Sequence, residues 1–145
     1  MTYIIEIKTV QASAFRILVE ALKEILVDAN LECDETGIKM IAMDSSHTVL
    51  AHLKLHADKF ESYHCSEKRV LGINMINLFR IIKTMNNSDT LTLFLESNND
   101  SMLGIKIENS DKNTTSTFYL NLMDLNYLNQ IILSLLALVI CLLLL

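Results

Sequence analysis

The sequence predicts an α+β domain in which two helices lie on one face of antiparallel sheets, built from a βαβββ unit used twice. Three observations carry that prediction. Two stretches show an apolar period of 3.6 residues, most of the remainder alternates with a period of two, and clusters of turn residues separate the alternating runs. The 145 residues are 51% hydrophobic and 20% charged. That length suits one ordinary domain, and that composition supplies a core and excludes a wholly disordered chain.

A strand opens the element order ahead of Gln11. Residues 12–29 then show the clearest helical period: Phe15, Leu18, Leu22, Ile25 and Ala29 share one side, while Arg16, Glu20, Lys23, Glu24 and Asp28 share the other. Val49, Ala51, Leu53 and Leu55 alternate with Leu50, His52, Lys54 and His56, as in a half-buried strand. A second helix is predicted over 74–85, with Met75, Leu78, Phe79 and Ile82 inward and Asn77, Arg80 and Thr84 outward. The cluster Asn86-Asn87-Ser88-Asp89 ends it. Later strands carry Leu91/Leu93/Leu95, Ile105/Ile107 and Phe118/Leu120/Leu122 on their apolar phase. Turns fall at residues 34–37, 97–100 and 109–112. The duplication lies in element order and not in residue identity.

Seventeen acidic residues against twelve Lys plus Arg give a net charge of −5, which excludes a uniformly basic nucleic-acid coat protein and leaves room for a locally basic face. With no proline and three glycines, Pro-rich linkers and Gly-rich phosphate loops are excluded as well. Cys33, Cys65 and Cys141 are far apart and odd in number, and the N-terminus lacks the basic and apolar regions of a signal peptide. Reduced thiols in a cytosolic or nuclear compartment are expected. The Asn-x-Ser/Thr triplets at Asn86, Asn99 and Asn113 are then chance matches.

Candidate chemistry is sparse. His52 and His56 share a strand face near His47 and the His64-Cys65 pair, but their spacing matches no zinc signature, so solvent-facing histidines are expected and no metal. Asp44-Ser45-Ser46-His47 holds an acid, hydroxyls and an imidazole as sequence neighbours, whereas triads converge from separate elements. No nucleophile elbow or phosphate loop accompanies it, so neither an enzyme nor a cofactor is expected. The helical cations say more: Arg16 and Lys23 share one face, and Arg80 and Lys83 lie on the outer side of the second helix. Two readings follow, a basic stripe for a phosphate backbone and a solvated face with pairs such as Arg16 with Glu20.

Several strings then point the same way. Glu20-Ala21-Leu22-Lys23-Glu24-Ile25, Gly37-Ile38-Lys39 and Met43-Asp44-Ser45-Ser46-His47 are followed by Phe60-Glu61-Ser62-Tyr63-His64-Cys65, Leu71-Gly72-Ile73-Asn74 and Leu122-Met123-Asp124-Leu125. In this order, from Met1 to about Asn126, they resemble the proliferating cell nuclear antigen family of eukaryotic and viral sliding clamps. The resemblance implies a sliding-clamp domain of two βαβββ units. It implies a DNA polymerase processivity factor, without catalysis, whose homotrimeric ring encircles duplex DNA irrespective of sequence. Expected partners are DNA polymerase, other clamp-binding proteins, a clamp loader and further clamp subunits. The expected location is the nucleus or, for a viral protein, a cytoplasmic replication compartment.

Site residues follow from the same resemblance. Lys8, Arg16, Lys23, Arg80 and Lys83 match positions that face DNA, while Ile17 stands where the family often carries another lysine. His47, Thr48 and Leu50 match one wall of the pocket for client peptides. Thr115, Thr117 and Tyr119 lie on the edge strand expected at the subunit interface.

The resemblance stops where the composition breaks. Charged residues end at Asp124, and residues 131–145 are almost wholly aliphatic. The expected division is a clamp N-terminal domain over 1–126 and a hydrophobic tail over 127–145. A product of truncation or frameshift is the favoured reading of the tail, ahead of a short helix or strand packed on an exposed sheet edge and a membrane anchor. The fifteen residues from Ile131 to Leu145, at ~1.5 Å each in a helix, fall short of a ~30 Å hydrocarbon core. The rival function is a membrane-tethered, clamp-derived interaction protein that no longer encircles DNA.

Overall fold

The computed structural model describes residues 2–44, 46, 48–124 and 138–143. Strand β1 (Tyr3–Thr9) leads into helix α1 (Ala12–Ile25), followed by β2 (Asp28–Asp34), β3 (Gly37–Met43) and β4 (Val49–His56). A 3-10 turn (Ala57–Lys59) and β5 (Ser62–Cys65) connect to β6 (Arg69–Asn74) and α2 (Met75–Ile82). Then come β7 (Thr90–Glu96), β8 (Asn99–Asn109), β9 (Thr114–Asn121) and β10 (Leu138–Leu143).

The expected element order is present twice, but the two units do not form separate sheets. One sheet runs β5-β1-β7-β8-β9 and the other β10-β4-β3-β2-β6. Each unit therefore gives its first strand to the other unit's sheet: β1 pairs antiparallel with β7, and β6 pairs antiparallel with β2. Setting this exchange aside, β4 and β9 hold equivalent places, each the last strand of its unit and the outermost of its three-stranded meander.

The core lies between the helices and the two sheets. Ile5, Leu22, Met40, Ile73, Leu78, Leu95 and Ile105 are fully buried within it, each contributing roughly 1.5–3 kcal/mol by removal from water. Two predicted helix ends move inward. The first helix stops at Ile25, because Leu26 turns extended at φ −118°, ψ 140°, and Ala29 is buried as part of β2. The second starts with Asn74 as cap, its side-chain oxygen accepting from the Asn77 N–H at 3.0 Å, and ends at Ile82.

Two features join the halves. Tyr63 of β5 places its hydroxyl 2.5 Å from the Asp34 carbonyl oxygen and 2.9 Å from that of Gly37, tying one sheet to the β2–β3 turn of the other. Beyond β9, Met123 bridges to Gly72, its N–H donating to the Gly72 carbonyl at 2.8 Å. A Cβ at Gly72 would collide with the Met123 carbonyl oxygen, so this approach requires glycine. Gly72 and Met123, far apart in sequence, thus meet at one place. Among the described residues, no helix is long and apolar enough to cross a membrane.

Candidate functional site

The two helices lie side by side and antiparallel. Arg16, near the start of α1, donates from Nη1 to the Met85 carbonyl just past α2 and from Nη2 to Asn87 Oδ1 at 2.9 Å. Lys23, near the end of α1, stands 4.8 Å from the centre of the Phe79 ring in the middle of α2. This placement makes Arg16 a tether between helices: its guanidinium sits just beyond the C-terminal end of α2, where a cation offsets the negative end of the helix dipole. Among the described residues no ion pair joins Arg16 to Glu20, so the pairing weighed from sequence is replaced by one across the helices.

The five expected DNA-facing cations separate by environment. Lys23 is engaged by Glu24 at 2.6 Å as well as by Phe79, and the Glu24 carboxyl is lowered from its ordinary value by the Lys23 hydrogen bond and charge. Arg80 and Lys83 are exposed, and neither side chain has a hydrogen bond or ion pair to another described residue. Lys8 lies on β1 rather than on a helix, on the strand face opposite Ile5 and Ile7. Its row across the sheet is Thr92 and Lys106. Four cations against the two carboxylates of Glu20 and Glu24 make the helical face basic in a chain whose net charge is −5. Ile17 is 63% exposed on it.

The expected peptide site sits where β3 passes to β4. Asp44 organises the loop: Oδ2 accepts from the Ser46 hydroxyl at 2.5 Å, and Oδ1 accepts from the Thr48 N–H at 3.0 Å. His47 lies outside the described residues. Thr48 is exposed, whereas Leu50 is only 4% exposed and stands apart from the core cluster. It shares the sheet's outer face with Met43, its partner on β3, and with Ile41, which is 40% exposed. Sequence reasoning missed Ile41 and Met43. The available signal was two apolar residues on the polar phase of residues 37–43.

Strand β9 is the outermost of its sheet. Thr115, Thr117 and Tyr119 are exposed on its outer side, with Tyr119 edge-on to Phe94 at 5.9 Å. Phe118, expected inward, is 38% exposed, because nothing among the described residues pairs beyond β9. It borders a polar cavity of about 250 Å³ that Asp89 also lines. Among the described residues no three or more His, Cys, Asp or Glu side chains gather to hold a metal ion. The Cys33 thiol is pushed up to about 12 by burial, aided by negative charge at Cys65 and Asp34, which makes it inert as a nucleophile.

Paired βαβββ units with exchanged first strands, both helices together on one basic face, define an α+β domain of the sliding-clamp kind. The family model described as the N-terminal domain of proliferating cell nuclear antigen matches residues 4–129, and the chain belongs to that family. It is 34% identical over 122 residues to the proliferating cell nuclear antigen of Chaetomium thermophilum, covering 84% of this chain and 47% of that one. It is 32% identical over 120 residues to a probable DNA polymerase sliding clamp of Paramecium bursaria Chlorella virus 1, covering 83% and 46%. The proliferating cell nuclear antigen of Dictyostelium discoideum is similar to the same degree, 32% over 120 residues with the same coverage. The chain thus spans about half the length of these relatives. These likenesses support the clamp reading and give no support to the membrane-tethered alternative.

Proposed function

We propose that this chain is a clamp domain that contributes to a ring around duplex DNA and so keeps DNA polymerase and other clamp-binding proteins on their template. It acts by binding and scaffolding, without a chemical step. The observation that carries the reading is the helical face, where Arg80 and Lys83 are exposed and unengaged by other described residues in a family member of acidic composition. Such a face attracts phosphates of any sequence and lets the protein slide. Arg16 and Lys23 add charge to it while also holding the helices together.

Partner contacts follow from the remaining surfaces. Thr48 and Leu50, with His47 in the same loop and Ile41 and Met43 beside them, offer a shallow apolar site for a client peptide. Thr115, Thr117 and Tyr119 mark the β9 edge, where another clamp domain extends the sheet. A clamp loader and a replication site, nuclear or viral, complete the reading.

The test is duplex binding by the full chain, read by fluorescence anisotropy across salt concentrations. Replacing Arg80 and Lys83 by Ala should lower the slope of log K against log salt by about 2 units, close to 0.9 for each lost phosphate contact. An unchanged slope, or a preference for particular sequences, contradicts the assignment.

A further inference from the structure

The outer face of β3 and β4 changes character along its length. Met40, Ala42, Ala51 and Leu53 face the core, so the alternate residues of both strands share the outer face. In register, Met43 lies opposite Leu50, Ile41 opposite His52, Lys39 opposite Lys54 and Gly37 opposite His56. The Met43 end is the apolar site proposed above for a client peptide. The other end is basic, and neither strand contributes a carboxylate. We infer that Lys39 and Lys54 form a docking row for acidic residues flanking the apolar anchor of a client peptide, so that this domain selects partners with an acidic flank. The inference rests on the client-site reading and adds to it the chemistry of the partner.

Charge supports this first. Like charges directly opposite across an antiparallel pair are destabilising, yet Lys39 and Lys54 are so placed in a chain whose net charge is −5. Neither side chain has a hydrogen bond or ion pair to another described residue. The acids of the next strand are engaged elsewhere. Glu32, opposite Lys39 on β2, stands 3.9 Å from Lys68. Asp34 Oδ1 accepts from the Thr36 and Gly37 N–H groups at 2.8 and 3.2 Å. On the other side, β10 carries no charge. A carboxylate from outside therefore meets two ammonium groups with an imidazole on either side along β4. Reach supports it second. The Lys39–Lys54 row lies four residues from the Met43–Leu50 row on either strand, ~13 Å at ~3.3 Å each. An extended peptide anchored at the apolar end thus brings a residue about four positions away to the lysines. Placement favours a peptide over nucleic acid. This face is turned away from the core, and two lysines beside an apolar border make no continuous stripe for a run of phosphates.

The test uses the full chain and two fluorescent peptides of equal length. Each carries a pair of phenylalanines as anchor, flanked on both sides about four positions away by glutamates in one peptide and by glutamines in the other. The glutamate peptide should bind about fivefold more tightly at low salt, as two exposed charge pairs predict, and the advantage should shrink above ~0.1 M salt. Lys39→Gln combined with Lys54→Gln should bring the two peptides to equal affinity and leave the glutamine peptide unchanged. Ile41→Ser should weaken both peptides and keep their ratio. The double lysine variant should unfold at the same or a higher urea concentration than the unaltered chain, because it relieves a like-charged pair, so misfolding does not explain a lost preference. Equal binding of the two peptides by the unaltered chain overturns the docking row and leaves the client site standing. No binding of either peptide removes the client site and the row with it. A lower affinity of the double lysine variant for duplex DNA, without a change in peptide preference, assigns the lysines to nucleic acid and also overturns the proposal.

Discussion

Strands β4 and β9 hold the same place in the two repeats, yet their outer edges differ. Beside β4 lies β10, an aliphatic strand from the end of the chain, and Leu50 is 4% exposed. On the outer side of β9 lies no described strand, and Phe118 and Tyr119 are 38% and 48% exposed. Residues 114–121, Thr-Thr-Ser-Thr-Phe-Tyr-Leu-Asn, contain no charge and no proline, the usual guards of a free edge. Topological equivalence therefore does not imply equal use. One edge is paired within the chain, and among the described residues nothing pairs with the other, which suits the assembly proposed here.

What the halves do share is the exchange of their first strands, and this supplies the largest expected effect. Ile5 of β1 and Ile73 of β6 are both 0% exposed, and each sits in the sheet of the other repeat. Ile5→Ala and Ile73→Ala should each cost about 2–5 kcal/mol, and denaturant unfolding should remain a single transition in both. Two separable transitions would break the picture of interlocked repeats.

A smaller difference separates the halves by pH. Only the first repeat buries a thiol whose value is raised, with Cys33 at about 12 against an ordinary 9.0. Because the folded state holds this proton more tightly than the unfolded chain, the contribution is complete below about pH 9. It is lost as pH rises from there towards 12, at up to about 1.4 kcal/mol per pH unit. Urea midpoints measured at pH 8 and pH 11 should diverge more for the unaltered chain than for Cys33→Ala. Equal divergence would show that Cys33 does not titrate in that window.

Smaller again is the contrast between cations. Arg16 reaches from the first repeat to Met85 and Asn87 of the second, so Arg16→Ala should lower stability by about 1 kcal/mol. Arg80→Ala, on an exposed helix position, should stay within about 0.5 kcal/mol while weakening DNA association. Equal losses of stability would remove the distinction between a tether and a free phosphate contact.

Much of the fold was legible because local periodicity reports burial. The 3.6-residue stripe of Phe15, Leu18 and Leu22, and the alternation through Ala51, Leu53 and Leu55, each name the buried face directly. Partner choice is not local, so nothing in β1 announced that it would lie between β5 and β7. Helix α1 was read too long because Ala29 falls on the helical stripe and equally on the inward phase of β2. At the site, the four helical cations were visible from their spacing. Their separation into tethered Arg16, engaged Lys23 and free Arg80 and Lys83 depends on residues up to 71 positions away, beyond any spacing rule.

The contrast between the two edges is tested most directly by residue-resolved amide exchange on the dilute full chain. In β4, hydrogen bonds run to β3 on one side and β10 on the other, so successive amides from Leu50 to Lys54 should all exchange slowly. In β9, among the described residues, only the amides directed at β8 are bonded, so slow and fast residues should alternate from Thr115 to Leu120. The same alternation in β4 as in β9 would show that β10 does not close that edge, and the asymmetry argued here would fall.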